Sequence, residues 1–78
     1  MREGKDHPFT KAEMKILLLV GDWRCAAIIS ELLNFKLSYV YTLQKRLNKK
    51  YGSSKIQDLV FLALEKKWIL LDREAEDK

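Results

Sequence analysis

The chain of 78 residues holds one cysteine, Cys25, and one histidine, His7. An internal disulfide is thereby excluded, and so is a structural zinc site, which needs four cysteine or histidine ligands. With three glycines in all, there is no glycine-rich loop to cradle a phosphate. His7 stands in a polar leader, residues 1–8, and forms neither a Ser-His-Asp set nor a Cys-His pair. The expectation is therefore no enzyme, no catalytic residue, no metal and no cofactor. Apolar runs stay far short of the roughly 20 residues that span a bilayer, and the leader has no signal-peptide core. A soluble, cytoplasmic protein is expected.

The most pointed absence is of acid. Between Glu31 and Asp58 no carboxylate occurs, while Lys36, Lys45, Arg46, Lys49, Lys50 and Lys55 do. The formal charge of +4 understates this, because the acidic tail, residues 72–78, holds four acids against two bases, leaving +6 on residues 1–71. A surplus of this sign attracts nucleic acid, though it also suits an acidic protein or a membrane surface.

One small domain, residues 9–71, is expected, near the lower size limit for a self-sufficient core. Thr10-Lys11-Ala12-Glu13 reads as a capping box, with Phe9 and Met14 at the spacing of a hydrophobic staple. A first helix then runs from Lys11 to about Val20, densely apolar in Ile16, Leu17, Leu18, Leu19 and Val20, until Gly21-Asp22 breaks it. A second helix starts between Asp22 and Cys25 and presents Ile28, Ile29, Leu32 and Leu33 at helical spacing. Asn34 suits a left-handed residue just past its end. Cys25 reads as a small half-buried helix residue, and Trp23 as a lid on the core with Arg24 free to reach phosphate.

A third helix occupies about residues 37–51, ending at Tyr51-Gly52 with glycine in the terminating position. At about 100° per residue, Val40, Leu43, Leu47 and Tyr51 form its apolar stripe. Ser38, Tyr41, Thr42, Lys45, Arg46 and Lys49 fall opposite. Two helices joined as tightly as the second and third cross sharply, which is a helix-turn-helix. Ser54-Lys55-Ile56-Gln57 reads as a second capping box, opening a fourth helix that continues through about Lys67 with Ile56, Leu59, Val60 and Ala63 inward. Phe61 and Leu62 lie off that stripe and suit a homodimer contact, unless both complete the core. Trp68, Ile69, Leu70 and Leu71 are expected to fold back onto the core. No alternating pattern or hairpin turn appears, so no β wing is expected. The fold class is all-α, a four-helix bundle containing a helix-turn-helix.

In order and spacing the chain resembles the LuxR-type (GerE-type) helix-turn-helix domain of bacterial transcription regulators, without gaps from Phe9 to Ile69. The resemblance rests on Phe9-Thr10, Glu13 and Ile16-Leu17, on Ile29 and Leu33, on Val40, on Lys50-Tyr51-Gly52, and on Leu59, Val60 and Ala63. The length is similar to that of freestanding members without a receiver or ligand domain. Cys25 and Lys36 stand where the family often has serine or threonine caps. Tyr39 replaces a threonine, Leu43 a histidine, and Ile56 an arginine or asparagine, which makes the chain an atypical member. The resemblance implies base reading by Tyr41, Thr42 and Lys45, with phosphate contacts near Tyr39, Arg46 and Lys49.

The chemistry suits those roles. Lys45 can donate to guanine O6 and N7, Thr42 can meet a thymine methyl or donate to a base, and Tyr41 can do either. Lys36, Arg46, Lys49, Lys50 and Lys55 suit phosphates, which position a domain without reading sequence. Ser53 and Ser54 suit either phosphate contact or helix capping. The expected function is sequence-specific binding of double-stranded DNA by a small transcriptional regulator, acting as a homodimer. One alternative is a protein-interaction module of the same fold that modulates another regulator or RNA polymerase, with Tyr39 and Tyr41 as anchors. Another is a single-stranded nucleic-acid or RNA binder that stacks bases on those tyrosines.

Overall fold

The capping box expected at residue 10 forms in full. Thr10 Oγ1 accepts the Glu13 amide at 3.2 Å, and the Glu13 carboxylate accepts the Thr10 amide at 2.9 Å. Two orphan amides are satisfied at once, and α1 (Lys11–Gly21) begins there. The computed structural model describes residues 1–71, so the acidic tail at 72–78 lies outside the described residues. After α1 come α2 (Ala26–Leu33), α3 (Leu37–Tyr51) and α4 (Ile56–Glu65). The fold is thus mostly helical, as expected of an all-α chain.

The four helices share one core. α1 contributes Met14, Ile16, Leu17 and Val20; α3 contributes Val40, Leu43 and Leu47; α4 contributes Leu59, Val60 and Ala63. Phe9 and Ile69 close the ends, and α2 adds only Ile29. Both α1 and α3 pack on all the other helices, and α3 does so through one buried stripe, Val40, Leu43 and Leu47, with its other side exposed. Among the described residues no polar or charged side chain is buried.

Each helix ends the same way. Trp23, Asn34, Gly52 and Lys67 take left-handed backbone angles, with φ of 63°, 58°, 70° and 64°. The next amide reaches back five residues in every case: Arg24 to Leu19, Phe35 to Ser30, Ser53 to Asn48 and Trp68 to Ala63, at 2.9–3.0 Å. This closure satisfies terminal carbonyls and reverses the chain. Asn34 and Gly52 are the residues expected to do it. At the end of α1, by contrast, Gly21 remains helical and buried, Asp22 caps, and Trp23 takes the left-handed position.

Several expectations are corrected. Arg2–Glu3 form a short strand, β1, paired antiparallel with β2 (Ile69–Leu70), Arg2 opposite Leu70 and Glu3 opposite Ile69. No wing was expected because strand signals are local, whereas this ribbon joins the two ends of the chain through backbone bonds that two-residue segments do not advertise. The leader, residues 1–8, is accordingly part of the fold: Gly4 is buried and donates to the Trp68 carbonyl at 2.7 Å. The second capping box does not form. Lys55 is the N-cap of α4 with no side-chain cap, and the Ser54 hydroxyl donates to the Asp58 carboxylate at 3.3 Å. α4 also ends at Glu65, because the reversal at Lys67 brings Ile69 into the core.

Candidate nucleic-acid interface

α3 is amphipathic in the manner its spacing dictates. Val40, Leu43 and Leu47 are buried, and Tyr51 packs half-buried with ring centroids 5.5 Å from Phe9 and 6.0 Å from Trp68. On the opposite side Ser38, Tyr41, Thr42, Lys45, Arg46 and Lys49 are all exposed. The link from α2 is three residues, 34–36, so the start of α3 is pinned close to the end of α2.

The expected base-reading set, Tyr41, Thr42 and Lys45, lies within one helical turn and is exposed throughout. Their donors are not equivalent. The Thr42 hydroxyl is committed to the Ser38 carbonyl at 2.8 Å, so Thr42 offers its methyl group and an oxygen lone pair rather than a donor. Tyr41 has no ring partner among the described residues, and it is 56% exposed.

The expected phosphate set surrounds this turn. Lys36 is the N-cap of α3 and Lys55 the N-cap of α4, both exposed, which frames the face at two helix starts. Tyr39 packs perpendicular to Phe35, with ring centroids 5.1 Å apart, and stays exposed. Lys50 leans over the Tyr51 ring at 5.6 Å, toward the aromatic cluster at the end of α3 rather than the middle of the face. Lys49 and Lys50 also complement the negative end of the helix dipole. Within the described residues none of Lys36, Lys45, Arg46, Lys49, Lys50 and Lys55 is paired with a carboxylate. Ser53 is turned inward, its hydroxyl bonding the Asn48 side chain at 2.8 Å.

Two further positions are corrected. Trp23 is no lid on the core: it is 78% exposed, because the left-handed turn after α1 swings it outward. Cys25 is an exposed N-cap of α2 rather than a half-buried helix residue, since α2 starts only at Ala26. Together these residues form one wall of a groove of about 330 Å³ bounded by Trp23, Arg24 and Cys25 on one side, Tyr41 and Gln44 of α3 on another, and Ile56 and Gln57 of α4 on a third. The periodicity of α3 located one wall of this groove. The other walls come from helix starts distant in sequence, and their only local signal was a tryptophan placed directly after a helix-ending Gly-Asp pair.

Two other surfaces are apolar. Phe61 is 57% exposed on α4, while the neighbouring Leu62 is partly buried against the core. Of the expected stripe on α2, Ile29 is buried and Leu33 packs partly on the core, but Ile28 and Leu32 face outward, Leu32 with 59% of its surface exposed. The helix has one neighbouring layer and can bury only one side.

Among the described residues no group of three or more histidine, cysteine, aspartate or glutamate side chains is placed to hold a metal ion, and no helix is long and apolar enough to cross a membrane. Comparison of the chain with known protein families, curated proteins and solved structures returns no match.

Proposed function

We propose that this protein binds double-stranded DNA as a LuxR-like helix-turn-helix domain, with α2 and α3 as the paired helices and α3 in the major groove. The observation that carries the reading is the outer face of α3: Tyr41, Thr42, Lys45, Arg46 and Lys49, all exposed and with no carboxylate paired to their cations among the described residues. A helix presenting cations beside hydroxyl and aromatic groups matches a groove bordered by phosphates and floored by base edges. Tyr41, Thr42 and Lys45 read bases in this scheme. Lys36, Tyr39, Arg46, Lys49, Lys50 and Lys55 hold phosphates, with Lys50 at the periphery. The role that follows is transcriptional regulation.

A homodimer through α4 fits the exposed Phe61, with Leu62 contributing only its uncovered part. Two copies would then address half-sites about one helical turn, roughly 34 Å, apart.

The exposed pair Ile28 and Leu32 on α2 favours a second reading, a module that docks on another regulator or on polymerase. Selection of random duplex DNA by the purified protein and by Lys45→Ala separates the two. A recovered motif that blurs in the variant supports sequence reading by α3. Retention without any motif, abolished by moderate salt, would turn the assignment to a protein partner.

A further inference from the structure

Trp23 is the most exposed large apolar side chain in the described chain, and it stands in a backbone conformation that bulky residues avoid, with φ of 63°. Folding alone does not call for tryptophan there. The turn after α1 closes through backbone bonds, Trp23 to the Val20 carbonyl at 2.9 Å and Arg24 to that of Leu19 at 3.0 Å, and glycine would make both with less strain. The indole has no ring partner and no hydrogen bond among the described residues. A tryptophan kept both strained and solvated points to a role outside the fold.

Its surroundings identify what it meets. Trp23 borders the groove shared with Tyr41, the first base-reading residue of α3, so a ligand that engages Tyr41 and extends along this groove reaches the indole. Arg24 supplies a cation, Gln44 and Gln57 supply amides, and among the described residues no carboxylate lines the groove. The carboxylate of the adjacent Asp22 is turned to the Met1 amino group, 3.2 Å away. One cation beside an exposed indole suits an anionic group next to an apolar surface, as a phosphate and its sugar are.

We infer that Trp23 is a contact to the backbone of duplex DNA, packing its indole against a deoxyribose of the strand that borders the groove entered by α3, while Arg24 pairs with the adjoining phosphate. This rests on the DNA-binding reading above. It extends the footprint beyond α3 to the turn between α1 and α2. Because a sugar carries no sequence information, the contact adds affinity to every site alike.

The test titrates duplex DNA of the selected motif, or of mixed sequence if none is recovered, into wild type, Trp23→Gly, Trp23→Phe, Arg24→Ala and Lys45→Ala. Trp23→Gly is expected to bind about tenfold more weakly with its melting temperature unchanged or raised, and Trp23→Phe to fall between. Wild-type tryptophan emission should change on binding, and that change should be lost in Trp23→Phe. Arg24→Ala should lower the salt slope by about one phosphate. If Trp23→Gly binds like wild type while Lys45→Ala weakens, the inference is overturned and the reading of α3 stands. A weaker Trp23→Gly with a lowered melting temperature also overturns it, since the residue then acts through the fold. If wild type does not bind duplex DNA at all, the reading and the inference fall together.

Discussion

Gly4 donates its amide to the Trp68 carbonyl at 2.7 Å, and a β carbon at position 4 would lie 2.2 Å from the Lys67 carbonyl oxygen and 2.8 Å from the Trp68 carbonyl group. The beginning and the end of the domain are therefore joined backbone to backbone at a point that admits only glycine. Gly4→Ala is expected to open the β1–β2 ribbon and destabilise the protein by about 1–3 kcal/mol. Urea denaturation, with hydrogen exchange of the amide at position 4, checks this; an unchanged midpoint and protection would show that the ribbon adapts.

The left-handed helix ends make a second prediction. Trp23→Gly and Lys67→Gly each relieve a side chain held at positive φ and should each stabilise by about 1 kcal/mol, less than the full left-handed penalty because glycine also frees the unfolded chain. Asn34→Gly should do less, asparagine being tolerant of this region. Chemical denaturation midpoints should rank in that order.

Thr42 separates its methyl from its hydroxyl. Since the hydroxyl proton is held by the Ser38 carbonyl, Thr42→Val should leave duplex sequence preference largely intact. Thr42→Ser, which keeps the hydroxyl and loses the methyl, should relax preference at one base pair by roughly 1 kcal/mol. Binding arrays of single-base variants measure both, and the reverse ranking would assign the reading to the oxygen.

Arg46 and Lys49 should act on affinity without touching sequence preference. Replacing either with alanine should reduce the slope of log K against log salt by about 0.9, the value for one phosphate. A slope identical to that of wild type would place that cation outside the interface.

Phe61→Glu should leave the stability of the isolated monomer within about 0.5 kcal/mol, because the ring is exposed there. If α4 is the dimer surface, the same change should convert a sedimenting dimer to a monomer and shorten the protected DNA to one half-site. A wild-type monomer at micromolar concentration would remove α4 from that role.

The order and type of all four helices were legible in the sequence because each rests on local chemistry. The Thr10–Glu13 box starts α1, Asn34 and Gly52 stop α2 and α3, and the three-and-four spacing of Val40, Leu43 and Leu47 orients α3. The exposed face of α3 followed from the same spacing, which by itself groups Tyr41, Thr42, Lys45, Arg46 and Lys49. What local chemistry misjudged was the start of α4. Ser54 had the spacing of a cap, but the helix begins one residue later, with Lys55 at the N-cap and the Ser54 hydroxyl donating to Asp58.

Helical periodicity and the distribution of charge thus determined, from sequence alone, which residues of α3 turn outward and that the stretch of chain between Glu31 and Asp58 holds no acid. Only the tertiary structure decided what stands beside them. Periodicity reports the direction of a side chain about its own helix, and it holds no information on which distant segments come near. That is why the ribbon from Arg2 to Leu70, the outward turn of Trp23 and the half-covered face of α2 appear only once the helices are packed. Each is settled by backbone closure and by how many neighbours one small core can provide.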